Sequence, residues 1–96
     1  MNSGALIIDP KDNVATAMRP LRAGEDLRLT VDGRALNVYP LEDIAQGHKL
    51  ALAEIRQGAP VIKYGETIGL ATRNIRAGEH VHVHNVEGRK GSGDRR

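Results

Sequence analysis

The chain places three of its four histidines in one short segment, at positions 80, 82 and 84. In a β-strand, residues i, i+2 and i+4 point to the same face. Alternation therefore predicts a row of three imidazoles, with Val81 and Val83 facing the core on the other side. Neutral imidazole binds Zn, Fe, Ni and Cu, and it also binds anions and exchanges protons near neutral pH. The row predicts a metal, anion or acid–base site, and the alternative is a solvated polar strand face.

A pair of basic residues that follows a predicted turn is a second candidate site. His48 and Lys49 come directly after Gly47, so we expect them at an exposed turn tip. An imidazole beside an ammonium can hold an anionic group of a substrate. The alternative is that both side chains are simply solvated.

Lys63 is a third candidate, because it lies in a strongly apolar strand. Alternation places it on the face opposite Ile62 and Tyr64. Partial desolvation there would lower its pKa and suit it to act as a base or as a clamp for an anion. The alternative is an edge-strand lysine whose stem lies along apolar surface while its ammonium stays in water.

The elements that carry these side chains come from an internal repeat. Residues 12–27 and 66–81 align at an offset of 54, with matching apolar positions and six identical residues. The identical pairs are Ala17/Ala71, Arg19/Arg73, Arg22/Arg76, Ala23/Ala77, Gly24/Gly78 and Glu25/Glu79. A duplicated β unit explains this alignment.

A shorter motif, aliphatic-x-x-Gly-x-x-aliphatic, occurs four times. Its occurrences run from Leu21 to Leu27, Ile44 to Leu50, Ile55 to Val61 and Ile75 to Val81. Glycine accepts the positive φ of a tight turn at no steric cost, so the motif predicts that one strand ends in the core and the next begins after the turn. The irregular spacing of the four motifs excludes a solenoid.

The pattern as a whole predicts an all-β fold of short strands that close or interlock to protect their edges. The predicted strands are 5–8, 13–18, 26–31, 34–39, 60–64, 67–72 and 80–86. Asp32-Gly33 is a hairpin turn signal between two of them. Residues 50–55 can form one helical turn.

The composition indicates what kind of core the domain has and which partners we expect. The 96 residues suit one domain, and the aromatic fraction of 2% with no cysteine predicts an aliphatic core without disulfides. Such a thin core is a reason to expect a partner chain or a homo-oligomer. No segment suits a membrane span or a signal peptide, and we expect a cytoplasmic protein.

The net charge of +2 comes from the end of the chain. Residues 89–96 hold four of the 14 basic and one of the 12 acidic residues, which leaves 10 against 11 elsewhere, a net of −1. We predict a domain at 1–88 followed by a disordered basic tail at 89–96. A basic patch with stacking aromatics is not visible, so nucleic acid is not expected as a partner.

Four strings of the sequence resemble a known family when taken together. They are DNVA from Asp12, GHKLAL from Gly47, VIKYGE from Val61 and GEHVHVHN from Gly78. They look like the N-terminal module of the altronate/galactarate dehydratase family, and the resemblance covers residues from about 5 to 87. This module is an SAF domain, so the resemblance implies a β-clip fold, as in type III antifreeze proteins.

The resemblance implies the small subunit of a two-subunit hydro-lyase that acts on a sugar acid, an acidic small molecule. The subunit would contribute to, or close, the active site of a large catalytic subunit. The small subunit of (2R)-sulfolactate sulfo-lyase, which eliminates sulfite, is an alternative. A non-catalytic carbohydrate- or anion-binding or assembly module is a third reading. The family is associated with a divalent metal, and we expect iron held mainly by the large subunit.

With this resemblance, each candidate residue receives an expected role in a site shared between two chains. The expected catalytic residues are His48, Lys49 and Lys63, the substrate-binding residues are Asn13, His80 and Asn85, and the metal ligands are His82 and His84.

Overall fold

A computed structural model of the chain describes residues 4–88. Within this range the chain forms nine strands and no helix. The strands are β1 (Ala5–Leu6), β2 (Val14–Ala17), β3 (Leu27–Val31), β4 (Arg34–Val38), β5 (Lys49–Ala51), β6 (Pro60–Lys63), β7 (Glu66–Ala71), β8 (His80–Val81) and β9 (Val86–Gly88). The predicted all-β class is confirmed, and the predicted tail at 89–96 lies outside the described residues.

The helical turn predicted at 50–55 is wrong. Lys49–Ala51 is strand β5, and Ile55 forms an isolated antiparallel bridge with Ile75. The physical reason is that β5 finds partners on both sides, β2 and β8, so its backbone groups enter a sheet ladder. Within the described part of the chain, no helix is long and apolar enough to cross a membrane.

The strands form three antiparallel sheets. One has the order β1-β2-β5-β8, the hairpin β3-β4 is separate, and the third has the order β6-β7-β9. The predicted hairpin turn is confirmed, since Asp32 and Gly33 both have positive φ (53° and 79°) between the paired Val31 and Arg34. Two positive φ values are those of a type I′ turn, which matches the twist of the flanking strands.

The four glycine motifs form four similar turns. Gly24, Gly47, Gly58 and Gly78 have φ of 85° or 86°, and each donates its amide to a carbonyl elsewhere in the fold. The aliphatic residue that opens each motif is buried, and these residues pair as Leu21 with Ile44 and Ile55 with Ile75. Two pairs of turns thus interlock, as a duplicated unit predicts.

Two of the six identities of the repeat form an ion pair that braces each turn. Arg19 Nη2 lies 2.8 Å from Glu25 Oε1, and the equivalent Arg73 Nη2 lies 3.3 Å from Glu79 Oε2. Each glutamate also accepts a hydrogen bond from the backbone amide three residues before it. These repeated charges therefore serve the fold.

Two aliphatic clusters form the core. The first packs around β1, β2 and the β3–β4 hairpin, and the second packs around Ile55, Val61 and Ile75. The predicted strand at 80–86 is interrupted, because residues 82–85 turn between β8 and β9. Val81 is buried as expected, but Val83 is 81% exposed, so its predicted core position is wrong. The side chain of Asn85 bonds to the backbone of this turn and ends β8.

Candidate functional site

Three imidazoles from two distant segments lie together, and we call them the imidazole cluster: His48, His80 and His82. Strands β5 and β8 pair antiparallel, with Leu50 opposite His80 and Lys49 opposite Val81. This register brings His48, the residue before β5, next to the histidines of β8. His48 Nδ1 lies 2.9 Å from His80 Nε2. The ring centroids of His48 and His82 are 4.1 Å apart, with planes inclined by 17°. The fold therefore adds His48 to the histidine segment.

Asn85 lies beneath the cluster and is fully buried. Its Oδ1 accepts a hydrogen bond from the His82 amide at 3.0 Å, and its Nδ2 donates to the His80 carbonyl at 2.9 Å. The backbone amide of Asn85 donates to the His82 carbonyl at 3.2 Å. The side chain thus fixes the backbone from which two of the imidazoles project. The expected substrate-binding role of Asn85 stays a prediction.

His84 lies at the edge of the cluster. Its ring is 5.0 Å from that of His80 with a 34° tilt, and the side chain is exposed. The ligand nitrogens of the cluster all lie within 4.8 Å of one another, and His84 is not one of that group. The structure therefore groups His82 with His48 and His80 rather than with His84, and metal binding by His82 and His84 stays a prediction.

Lys49 stands next to the cluster and is half-buried, as is His48. The expectation of an exposed turn tip is wrong for this pair, because β5 begins at Lys49 and places it between two strands. Burial, and then the nearby charge of Lys63, lowers the pKa of the Lys49 ammonium. The Lys63 ammonium lies 4.9 Å from the centre of the Tyr64 ring.

A cavity of about 220 Å³ opens beside Lys49 and His82. Its other lining residues are Ile68, Val83, Val86 and Gly88. The walls are therefore mainly apolar, with two basic side chains among them. Such a cavity can hold the carbon chain of a small acid while a basic side chain binds its carboxylate.

The imidazoles lower one another's basicity. Burial, followed by the neighbouring His84 and His48, lowers the pKa of His80. Burial, followed by His48 and Lys49, lowers the pKa of His82. Both rings are therefore neutral in a larger fraction of molecules at pH 7 than a free imidazole, and a neutral ring offers one nitrogen lone pair to a proton or a metal ion.

Glu42 is a neighbour of the cluster that sequence reasoning missed. Its carboxylate accepts a hydrogen bond from the His80 backbone amide at 3.2 Å, and its charge opposes the lowering of the His80 pKa. It lies in the loop after β4, 38 residues from His80. No local motif marks it, because only the tertiary fold brings the loop to β8.

Asn13 braces the strand that carries Lys63. Its Oδ1 accepts a hydrogen bond from the Ile62 amide at 2.7 Å, and its Nδ2 donates to the Pro60 carbonyl at 3.0 Å. Both polar atoms of the side chain are thus engaged with the backbone of β6. A role for Asn13 in substrate binding stays a prediction.

Comparison with known proteins matches this domain over nearly its whole length. The family model described as altronate/galactarate dehydratase SAF domain matches residues 3–89. An altronate dehydratase from Escherichia coli (strain K12) is 47% identical over 75 residues, which are 78% of this chain and 14% of that protein. An altronate dehydratase from Bacillus subtilis (strain 168) is 42% identical over 80 residues, which are 83% of this chain and 15% of that protein.

A shorter relative is similar over a larger share of its own length. The (2R)-sulfolactate sulfo-lyase subunit alpha of Paracoccus pantotrophus is 39% identical over 59 residues. These residues are 62% of this chain and 88% of that protein. This chain therefore corresponds to a small part of the two altronate dehydratases but to most of this subunit.

Proposed function

Because the chain belongs to the SAF domains of the altronate/galactarate dehydratase family, we propose that it is the small subunit of a two-subunit hydro-lyase. The enzyme removes water from a sugar acid of the altronate or galactarate type. A separate large subunit supplies most of the catalytic machinery. This chain contributes basic side chains to a shared active site, or closes that site against water.

The observation that carries this proposal is one basic face beside a small cavity. His48, His80 and His82 lie together, and the ammonium of Lys49 shares a cavity with His82. A sugar acid has a carboxylate that an ammonium binds and hydroxyl groups that imidazoles contact by hydrogen bonds. The face therefore suits the acidic end of such a substrate.

The proposed reaction is a β-elimination. A base takes the proton from C2, the hydroxyl on C3 leaves with a proton as water, and the resulting enol rearranges to a 2-oxo acid. Lys49, whose pKa is lowered, and Lys63 are the candidate base or carboxylate clamp, and His48 is a candidate proton donor. A divalent metal, iron by family resemblance, would polarise the carboxylate, with most of its ligands from the large subunit.

An assay with both purified chains tests the proposal. We expect formation of 2-oxo acid from altronate or galactarate only when the large and small chains are mixed. In the mixture, His48→Ala should lower kcat by about a hundredfold or more, the usual contribution of a proton-transfer group. Arg34→Ala, on the exposed β4 of the hairpin, is the matched control and should keep full activity. Full activity of the large chain alone contradicts the proposal.

Sulfolactate is a second candidate substrate, favoured by the extent of one match. The subunit alpha of the Paracoccus enzyme is covered over 88% of its length, against 14% for the altronate dehydratase of Escherichia coli. In this alternative the C3–sulfur bond breaks and sulfite leaves in place of water. Measurement of sulfite release with (2R)-sulfolactate, in the same mixed assay, separates the two substrates.

A non-catalytic role as an assembly or anion-binding module makes the opposite prediction for the histidines. In that case, the His48→Ala and His82→Ala chains still form the complex and leave turnover unchanged. Measuring complex formation by size-exclusion chromatography together with kcat distinguishes this role from a catalytic one.

A further inference from the structure

We infer that His48, His80 and His82 form a binding site for a divalent transition-metal ion within this chain. Each residue offers one ring nitrogen, and these three nitrogens lie within 4.8 Å of one another. Three imidazoles from two separate segments lie together on one half-buried face. The inference rests on the proposed function and revises it in two respects: three ligands of the metal come from this chain with the remaining ones from the large subunit, and His48 acts as a ligand in place of a proton donor.

The spacing of the first two nitrogens fits neighbouring ligands of one ion. His48 Nδ1 and His80 Nε2 are 2.9 Å apart. Two nitrogens that each lie about 2.1 Å from an ion are about 3.0 Å apart at the right angle of an octahedral ion and about 3.4 Å apart at the tetrahedral angle usual for Zn²⁺. The observed pair is thus at the octahedral separation and about 0.5 Å short of the tetrahedral one, and an ion would replace the hydrogen bond between them. The His82 ring, stacked on His48, then needs a rotation to join them.

The donor set selects the class of metal. All three ligand atoms are imidazole nitrogens, which suit Zn, Ni, Fe and Cu, whereas Mg²⁺ and Ca²⁺ prefer oxygen. The carboxylate of Glu42 is close to the cluster and bonds to the His80 backbone amide. Three protein ligands leave coordination positions for a substrate or for a partner chain, as in catalytic metal sites.

The scaffold beneath the cluster is already fixed. The β5–β8 pairing sets the distance between His48 and His80, and Asn85 holds the backbone at His80 and His82. An ion therefore meets ligands whose main chains need not reorganise. Outer residues that hold ligands in this way typically change metal affinity by about 10–100-fold when they are substituted.

Calorimetric titration of the full chain, without an affinity tag, tests the inference. The probes are Ni²⁺ and Zn²⁺, with Mg²⁺ as the negative control. We expect one Ni²⁺ or Zn²⁺ per chain and no saturable binding of Mg²⁺. His48→Ala, His80→Ala and His82→Ala should each weaken binding by at least about tenfold, since substitution of an outer residue alone costs about 10–100-fold.

His84→Ala separates this ligand set from the pair His82 and His84 predicted from the sequence, because it removes an imidazole from the same segment but not from the cluster. It should keep one-to-one binding with less than about a threefold loss, well below the tenfold effect of a lost ligand partner. His82→Gln, checked by circular dichroism and an amide NMR spectrum, separates loss of the ligand from loss of the fold. Absence of saturable Ni²⁺ and Zn²⁺ binding overturns the inference, and so does a loss in His84→Ala equal to that in His82→Ala. Because the titration needs no large subunit, its result is independent of the turnover assay.

Discussion

Asn85 shows how one buried amide can shape a site without facing it. It is fully buried, and its side chain satisfies one donor of the 82–85 turn, the His82 amide, and one acceptor of β8, the His80 carbonyl. A buried polar group is tolerated only where its hydrogen bonds are made, so the amide and the turn stabilise each other. The residue therefore controls the position of His80 and His82 through the main chain.

Replacing this amide should be costly. Asn85→Ala leaves the His82 amide and the His80 carbonyl without their partner, and we expect a loss of about 1–3 kcal/mol in the free energy of unfolding. Urea denaturation measures it. The control is Gln57→Ala, whose side chain is an exposed amide in a turn and should change the free energy by less than about 0.5 kcal/mol. Equal effects of the two substitutions contradict the structural role of Asn85.

Glu25 is a second residue whose local contacts have a measurable consequence. The hydrogen bond from Arg19, followed by that from the Arg22 amide, lowers its pKa to about 2. A carboxyl whose pKa is lower in the folded chain stabilises the fold when it is ionised. Its contribution is therefore complete above its usual pKa of 4.5 and is lost as the pH falls towards 2.

We expect this loss to appear as a fall in the free energy of unfolding at acid pH. Glu25→Gln should flatten the decline of the unfolding free energy between about pH 4.5 and pH 2, because the titrating group is gone. An NMR titration of the Glu25 carboxyl in the native chain should give a midpoint near 2. In Arg19→Gln that midpoint should rise, and a midpoint that stays unchanged argues against the ion pair as the cause.

At the scale of elements, the four glycine turns share a backbone conformation but not an environment. Gly24 and Gly78 occupy equivalent places in the repeat, with φ of 85° and 86°. A Cβ at Gly24 would meet open space, whereas a Cβ at Gly78 would overlap the carbonyl oxygen of Tyr39. Of these two turns, only the one at Gly78 is therefore packed tightly against another loop.

The two glycines allow backbone strain and packing to be separated. Gly24→Ala should cost about 1–2 kcal/mol of unfolding free energy, the cost of a left-handed conformation for an alanine. Gly78→Ala carries the same strain and must also displace the 39–41 loop, so we expect it to cost at least about 1 kcal/mol more, in the range of overpacking. Thermal or urea denaturation of both variants provides the test, and equal losses contradict it.

At the scale of the whole molecule, local sequence motifs predicted the hairpin and the four glycine turns. Pairing between strands that are distant in the sequence determined where the histidines lie. The Asp32-Gly33 hairpin and the four turns follow from glycine chemistry, which depends on a few neighbouring residues. The convergence of His48 with His80 depends on β5, a strand that no periodicity marked, because it is only three residues long. The outward turn at Val83 depends on the side-chain bonds of Asn85, which alternation does not encode.

The exposure of Val83 leads to the last prediction, which concerns the complex. This valine is 81% exposed and lines the cavity beside Lys49 and His82. If the large subunit covers this face, as the proposed function requires, Val83 becomes buried against it. Val83→Lys should then weaken association with the large subunit by at least about tenfold, since burying an unpaired ammonium is unfavourable.

The isolated chain provides the control for that substitution. Because Val83 makes little contact within the fold, Val83→Lys should leave its free energy of unfolding within about 0.5 kcal/mol of the original. Met18→Lys is the matched variant, because Met18 is an apolar side chain that is 57% exposed and does not line the cavity. Sedimentation or surface plasmon resonance with the large chain should show unchanged association for Met18→Lys. Equal association of all three chains would place the large subunit on a different face and separate the imidazole cluster from the shared active site.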